Sequence, residues 1–431
     1  MFDDFISETA INQVRAGLLM ALLGLAATAI GPGEVSGNQT GPAAESNQTS
    51  WQQNRDTTQT FQTSFDRYVH DDSIVGAAYV VVKDGQTIDW HAVGMADREL
   101  KQAVDQDTIF HWGSITKTIT AVAVLQLRDR HRLSLDDSIT KYVPELTRVH
   151  TDYGPVSQVT LRQLLSHTAG FQGPTWPYRD DTKPWQPFEP TEWAQLVAMM
   201  PYQELAFKPG SKFSYSNPGF IYLARVIEKV SSLSYQTYVK RNILMPLGMT
   251  HSYFNLTPVR WASHRSNNYT VTLDANGHKT VTANGREFDT GITTPNGGLN
   301  APLGDLVRWV TFLNGARTTM GPQILSRSSL EEMWRPVMPM DTAPDHREYM
   351  GLSFFLDQRA GPAGTIKFIG HTGSQAGFRA FLEFNPINRT AVVAAFNTSH
   401  ASDHNEAETR AAQQSRDGFN ALREQAFALL Q

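Results

Sequence analysis

Hydrophobic and polar positions fall into three zones along the chain. Residues 31 to about 60 carry almost no apolar side chains and are rich in Gly, Asn, Gln, Ser and Thr. Such a stretch reads as a flexible polar spacer, because it has too little to bury to offset ordering. From Phe61 to His70 the apolar residues Phe61, Phe65 and Tyr68 recur at helical spacing. Ile74 to Lys83 is β-rich, Asp84-Gly85 is a hairpin turn signal, and Thr87 to Val93 forms a second strand. Three further strand patterns lie late in the chain, at Gly351 to Asp357, Phe378 to Phe384 and Thr390 to Phe396, and a helical pattern runs from Glu406 to Leu430. The middle is mainly helical: Ser114 to Arg130, Thr191 to Met200, Pro218 to Val230, Tyr235 to Leu244 and Gly304 to Leu313. Strands at both ends around a helical middle predict an α+β body. In it an antiparallel sheet is flanked by N- and C-terminal helices and carries a mainly helical lobe over roughly 115–340. No solenoid repeat is present.

Composition narrows the function classes. The chain has 431 residues, no cysteine and a formal net charge of −5, from 37 Lys plus Arg against 42 Asp plus Glu. Thiol nucleophiles, disulfide frameworks and thiolate metal sites are excluded. The mildly acidic balance argues against nucleic acid as a partner. Neither a P-loop nor a dinucleotide fingerprint is present, and no cofactor is expected. Ahead of the spacer, Ala16 to Ile30 is an uncharged run within residues 1–30. It is short of the roughly 20 residues a bilayer span needs and fits a signal peptide. Export to a periplasmic or secreted location is the expectation. An uncleaved anchor or a buried N-terminal helix are the alternatives. Residues 61–431 are then one catalytic body.

The chemistry begins at His111-Trp112-Gly113-Ser114-Ile115-Thr116-Lys117. From Gly113 to Leu127 the only charged residue is Lys117, and the helix is apolar nearly all round, as a buried helix is. A lone ammonium there is costly unless it is paired or has a lowered pKa. Ser114 lies three residues earlier, on the same helix face and at the helix start. A desolvated lysine is a base that can activate a serine. The plainer alternative is a capping serine and a lysine whose end reaches solvent. The same four letters recur at Ser138-Ile139-Thr140-Lys141, where Pro144 cuts the helix short. There a solvated, structural lysine is expected.

Two other segments could complete a site. Tyr215 and Asn217 lie in a Pro/Gly-bounded loop ahead of a helix. A phenol beside ammonium groups loses its proton more easily and can shuttle it, and a carboxamide offers both donor and acceptor. His371, Thr372, Gly373 and Ser374 follow a β-like run. An edge strand there could pair with substrate and offer the Ser374 N–H to an oxyanion beside that of Ser114. An ordinary turn is the alternative for each segment.

In order, Ser-x-x-Lys, Tyr-x-Asn and His-Thr-Gly resemble the serine β-lactamase and penicillin-binding superfamily. The match is closest to its class C-like branch, which holds β-lactamases, D-alanyl-D-alanine carboxypeptidases, D-aminopeptidases and esterases. Leu164 to Gly170, Pro246 to Met249 and Asn296 to Leu299 look like further segments of that branch. The resemblance implies a β-lactamase/transpeptidase-like fold. It makes Ser114 the acyl-accepting nucleophile, Lys117 its base partner, Tyr215 a proton relay and Asn217 a substrate-orienting amide. It also implies a substrate-binding role for His371, Thr372, Gly373 and Ser374.

His371 stands where lactamases of this class usually have Lys, which puts efficient β-lactam hydrolysis in doubt. If protonated, His371 would anchor a substrate carboxylate, and kcat/KM would fall as pH rises through its pKa. The implied activity is a serine hydrolase acting through an acyl-enzyme on an ester or small peptide amide. A true β-lactamase and a non-catalytic penicillin-recognising module are the alternatives. His400, Asp403 and His404 read as a polar loop, not a metal site. Trp176, Trp185 and Trp193 belong to or adjoin a Pro-rich insertion, 173–190, that walls a pocket or packs as a surface loop.

Overall fold

In the computed structural model, the described residues are 42–171, 190–274, 276–315, 324–342, 346–361, 364–402 and 405–431. Outside them lie the Ala16–Ile30 run, Trp176, Trp185, Asp403 and His404. The chain divides into two units, Met1–Thr57 and Thr58–Gln431, and the second carries the sheets, the helical lobe and the candidate site. Helix α1 spans Pro42–Asp71. It therefore covers much of the stretch read as spacer, whose sequence from Ala43 to Asp71 contains neither Gly nor Pro. Low apolar content made the segment look unstructured, but helix formation needs only the absence of breakers and a docked end.

Nine antiparallel strands make the main sheet. In chain order they are β1 (Gly76–Lys83), β2 (Gln86–Asp97), β3 (Gln102–Ala103), β4 (Met338–Thr342), β5 (His346–Met350), β6 (Phe355–Gly361), β7 (Gly364–Gln375), β8 (Phe378–Asn385) and β9 (Thr390–Phe396). Their order across the sheet is β3-β2-β1-β9-β8-β7-β6-β5-β4. β1 pairs antiparallel with β9, with Val80 opposite Val393. The first and last long strands are therefore central neighbours.

Alternation along β1 sorts side chains to two faces. Ala77, Tyr79 and Val81 join Phe61, Phe65, Phe381, Phe396 and Phe419 in one core. That core lies under the end of α1 and the closing helix α6 (Glu406–Ala426). Ala78, Val80 and Val82 face a larger core that includes Ile119, Val122, Phe220, Leu223, Leu306 and Trp309. Those residues come from α2 (Thr116–Asp129), α4 (Asn217–Ser231) and α5 (Leu303–Leu313). A short helix, α3 (Leu161–Leu165), also lies in this lobe. Because both faces are covered, every residue of β8 and β9 is buried.

The lobe is less purely helical than the sequence pattern suggests. Two three-stranded sheets interrupt it. One pairs Leu299–Pro302 with Ile109–His111 and Tyr253–Phe254. The other pairs Asn268–Leu273 with Lys279–Gly285, and in parallel with Thr398–His400. Among the described residues no helix is long and apolar enough to cross a membrane.

Candidate active site

Gly113–Ile115 forms a 3₁₀ turn that runs directly into α2. Gly113 adopts φ +49°, a left-handed conformation that suits glycine. Thr116 ties the turn down: its Oγ1 donates to Gly113 O at 2.7 Å and accepts from Leu299 N–H at 3.0 Å. Trp112 fixes the entry, with its Nε1 donating to Ala301 O at 2.8 Å. Ser114 thus reaches the helix start partly exposed, while every residue from Thr116 to Leu127 is buried.

Lys117 does not reach solvent. Its Nζ lies 2.9 Å from Ser114 Oγ and donates to Asn296 O at 2.9 Å. The amine also sits 4.7 Å from the centre of the Tyr215 ring and 5.7 Å from that of Phe220. Burial alone pushes its pKa well below the ordinary lysine range. Among the described residues no acidic side chain forms an ion pair with it. A neutral amine facing a hydroxyl is a proton acceptor.

Tyr215 is half-buried, with its hydroxyl enclosed. Burial raises its pKa above the usual phenol range, partly offset by a hydrogen bond with Ser114. This corrects the expectation of an acidified phenol. That expectation needed an ammonium neighbour, and Lys117 is held towards its neutral form. Tyr215 remains a protonated hydroxyl beside Ser114. Asn217 is the first residue of α4, and its enclosed Oδ1 has no hydrogen-bond partner among the described residues.

The His-Thr-Gly-Ser segment lies in β7 beyond the reach of β6, whose pairing stops with Phe355 opposite Gly370. Among the described residues His371 to Gln375 pair with β8 alone and present a strand edge on the other side, as the sequence suggests. Its end crosses the turn that carries Ser114. A side chain at Gly373 would sit 2.0 Å from Trp112 O and 3.3 Å from Ser114 N, and one at Gly113 would sit 2.9 Å from Ser374 N. Only two glycines permit this approach, and it sets the amides of Ser114 and Ser374 side by side. His111 pins the same junction from behind, with ring nitrogens 2.9 Å from Asn300 Oδ1 and 2.9 Å from Gln375 Oε1. Ser374 is exposed and Thr372 intermediate.

His371 differs from the protonated anchor the sequence left open. It is 1% exposed, its Nδ1 lies 2.5 Å from Thr372 O, and its Nε2 has no partner among the described residues. Burial first, then the Lys117 amine, lowers its pKa to about 3. The ring is neutral at ordinary pH, so it offers a hydrogen bond and not a charge.

The structure brings Ser114, Lys117, Tyr215 and His371 together, with Asn217 at the start of the adjoining helix. The second Ser-x-x-Lys lies apart, as its context suggested. Ser138 caps a 3₁₀ turn, accepting from Thr140 N–H at 3.2 Å, and the largely exposed Lys141 pairs with Asp137 at 3.0 Å. Lys141→Met should leave turnover within about 2-fold of wild type in a steady-state assay. His400 is buried against Asp72, with Nε2 3.2 Å from Oδ1, which is a structural pairing. Asn296, whose carbonyl holds Lys117, was singled out only as part of a resembling segment. A backbone acceptor leaves no trace in residue type.

Known proteins resemble this chain in sequence and in fold. The sequence profile of the family described as Beta-lactamase matches residues 61–416. Protein flp of Staphylococcus aureus (strain COL) is 24% identical over 342 residues, covering 79% of this chain and 63% of that protein. The chain therefore spans less than two thirds of the length of that curated relative. Esterase EstB of Burkholderia gladioli is 32% identical over 208 residues, 46% of this chain and 52% of EstB. Among solved structures, the octameric penicillin-binding protein homologue from Pyrococcus abyssi aligns with a TM-score of 0.67 at 26% identity, covering 79% of this chain and 74% of that one.

Proposed function

The chain belongs to the Beta-lactamase family, and from that premise we propose that it is a serine hydrolase that forms an acyl-enzyme on Ser114. The observation that carries the reading is the buried Lys117 amine 2.9 Å from Ser114 Oγ, with burial driving it towards the neutral form. In the proposed acylation, Ser114 Oγ bonds to the substrate carbonyl carbon while its proton passes to Lys117. The protonated Tyr215 hydroxyl hands a proton to the departing oxygen or nitrogen and is recharged from Lys117. The adjacent amides of Ser114 and Ser374 receive the oxyanion. Water then releases the acyl group by the reverse proton route.

Esters, or small amides whose acyl part carries no carboxylate at the His371 position, are the proposed substrates. Neutral His371 supplies no cation there. The partial likeness to a named esterase supports the ester side of this choice. Incubation with an acylating fluorophosphonate followed by peptide mass spectrometry should place one adduct on Ser114. Labelling that persists in Ser114→Ala would overturn the assignment. Side-by-side assay of p-nitrophenyl esters, D-amino-acid amides, D-Ala-D-Ala peptides and a cephalosporin separates the substrate classes. Rapid cephalosporin turnover would favour a true β-lactamase instead.

A further inference from the structure

Beside the reacting groups lies a buried side chain that the proposed chemistry does not use. His167 follows α3, has φ +54° and is 1% exposed. Two main-chain amides flank Tyr215 at one residue on either side, and both end on His167. Ser214 N–H donates to His167 O at 2.9 Å, and Ser216 N–H donates to His167 Nδ1 at 3.0 Å. The two rings also stack, with centroids 4.3 Å apart and planes 20° from parallel.

We propose that His167 is the positioning residue for Tyr215, clamping the backbone on both sides of it and the face of its ring so that the phenol oxygen stays against Ser114. The inference rests on the serine-hydrolase reading and assigns a residue that reading leaves idle. The chemistry of the contact is specific. Nδ1 must be an acceptor to take the Ser216 N–H, so the ring is neutral with its proton on Nε2. Burial, together with Lys117 and His371 nearby, holds the ring in that neutral form. A core aromatic of similar size would reproduce the stacking. It would leave the Ser216 N–H unpaired beside the residue whose placement matters most.

The test uses esters of one acyl group with either an aryl or an alkyl leaving group. An aryloxide departs without protonation, whereas an alkoxide needs the proton that Tyr215 delivers. His167→Phe keeps the stacking and loses the acceptor. It should lower kcat/KM on the alkyl ester by about 10–100-fold and on the aryl ester by no more than about 3-fold. His167→Asn tolerates the positive φ and returns an oxygen near the Nδ1 place, so it should recover to within about 5-fold of wild type. In a Tyr215→Phe background, His167→Phe should cause no further loss.

Equal losses on both leaving groups would overturn the proposal. So would losses that multiply in the double variant, or an asparagine no better than phenylalanine. Should the phenylalanine variant fail a thermal-melt check, His167→Gln takes its place with the same expectation, since its amide reaches the Nε2 position and not Nδ1. If the wild type forms no acyl adduct on Ser114, the hydrolase reading itself fails. If it does and the leaving groups respond alike, only the role of His167 fails.

Discussion

Lys117→Met should lower kcat/KM by about 10²–10⁴-fold on every substrate the wild type turns over, while making the protein harder to melt. The two effects share one cause. The amine is buried against Tyr215, Phe220 and Ser114 with its pKa pulled far down, so folding works against its protonation. An unfolded lysine takes a proton near its ordinary value, and the folded one does not. Between those two values the unfolded state binds more protons, so the wild type loses stability as pH falls through that window. Methionine has no proton to lose and packs well on aromatic rings. The melting temperature of the variant should exceed that of the wild type at neutral pH, and the gap should widen as pH falls from the lysine range towards the folded-state value. Activity carries the same sign. Since only the neutral amine accepts the Ser114 proton, wild-type kcat/KM should fall on the acid side as Lys117 protonates. Thermal melts and ester kinetics over a pH series check both. A methionine variant that keeps wild-type kcat/KM would remove Lys117 from the reaction.

Gly373→Ala should reduce kcat by about 10²-fold or more through a single added methyl group. That methyl would sit 2.0 Å from Trp112 O, a main-chain atom held by the turn that carries Ser114. Neither side can give way without parting β7 from the 3₁₀ turn, which separates the amides of Ser114 and Ser374. Overpacking of this kind also destabilises by about 1–3 kcal/mol, so a lower melting temperature should accompany the loss. Gly304→Ala in α5 is the control, because an added methyl meets nothing within 4 Å there. It should leave kcat unchanged and slightly raise stability, since alanine favours a helix more than glycine does. Equal kinetics for the Gly373 variant and wild type would show that the close approach does not matter to turnover.

Much of the site was legible because its signals are local. Ser114 and Lys117 share one helix face, and the uncharged run to Leu127 marks that helix as buried by residue pattern alone. The strands at Phe378 and Thr390 were plain because they are covered on both sides and so largely apolar, Arg379 and Glu383 being buried exceptions. Edge strands were not. β4 and β5 read Met-Pro-Met-Asp-Thr and His-Arg-Glu-Tyr-Met, and what makes them strands is pairing, of β5 to β6 and of the outermost β4 to β5. Charge states were the other blind spot. Tyr215 beside a lysine looks acidified, and His371 looks like a pH-dependent cation. Both reverse because the Lys117 amine, the Tyr215 hydroxyl and the His371 ring are enclosed, and enclosure is a property of packing. His167 lay within a resembling segment, but its link to Tyr215 joins positions 48 residues apart and becomes visible only through the hydrogen bonds of Ser214 and Ser216.

The pairing of β1 with β9 has a consequence for how the protein is made. Val80 and Val393 are partners at the centre of the sheet, so the contact closes a loop of most of the chain. Such a contact order slows folding, since the entropy of closing the loop is lost before the strands reward it. A ribosome that has released Ser114 and Lys117 has still to make β7, β8 and β9. Until then the edge of β1 that takes β9 has no partner. A nascent or C-terminally shortened chain therefore exposes a long unpaired strand edge and should be prone to aggregate. The proposed site would take shape only once β9 has been made and slots in beside β1.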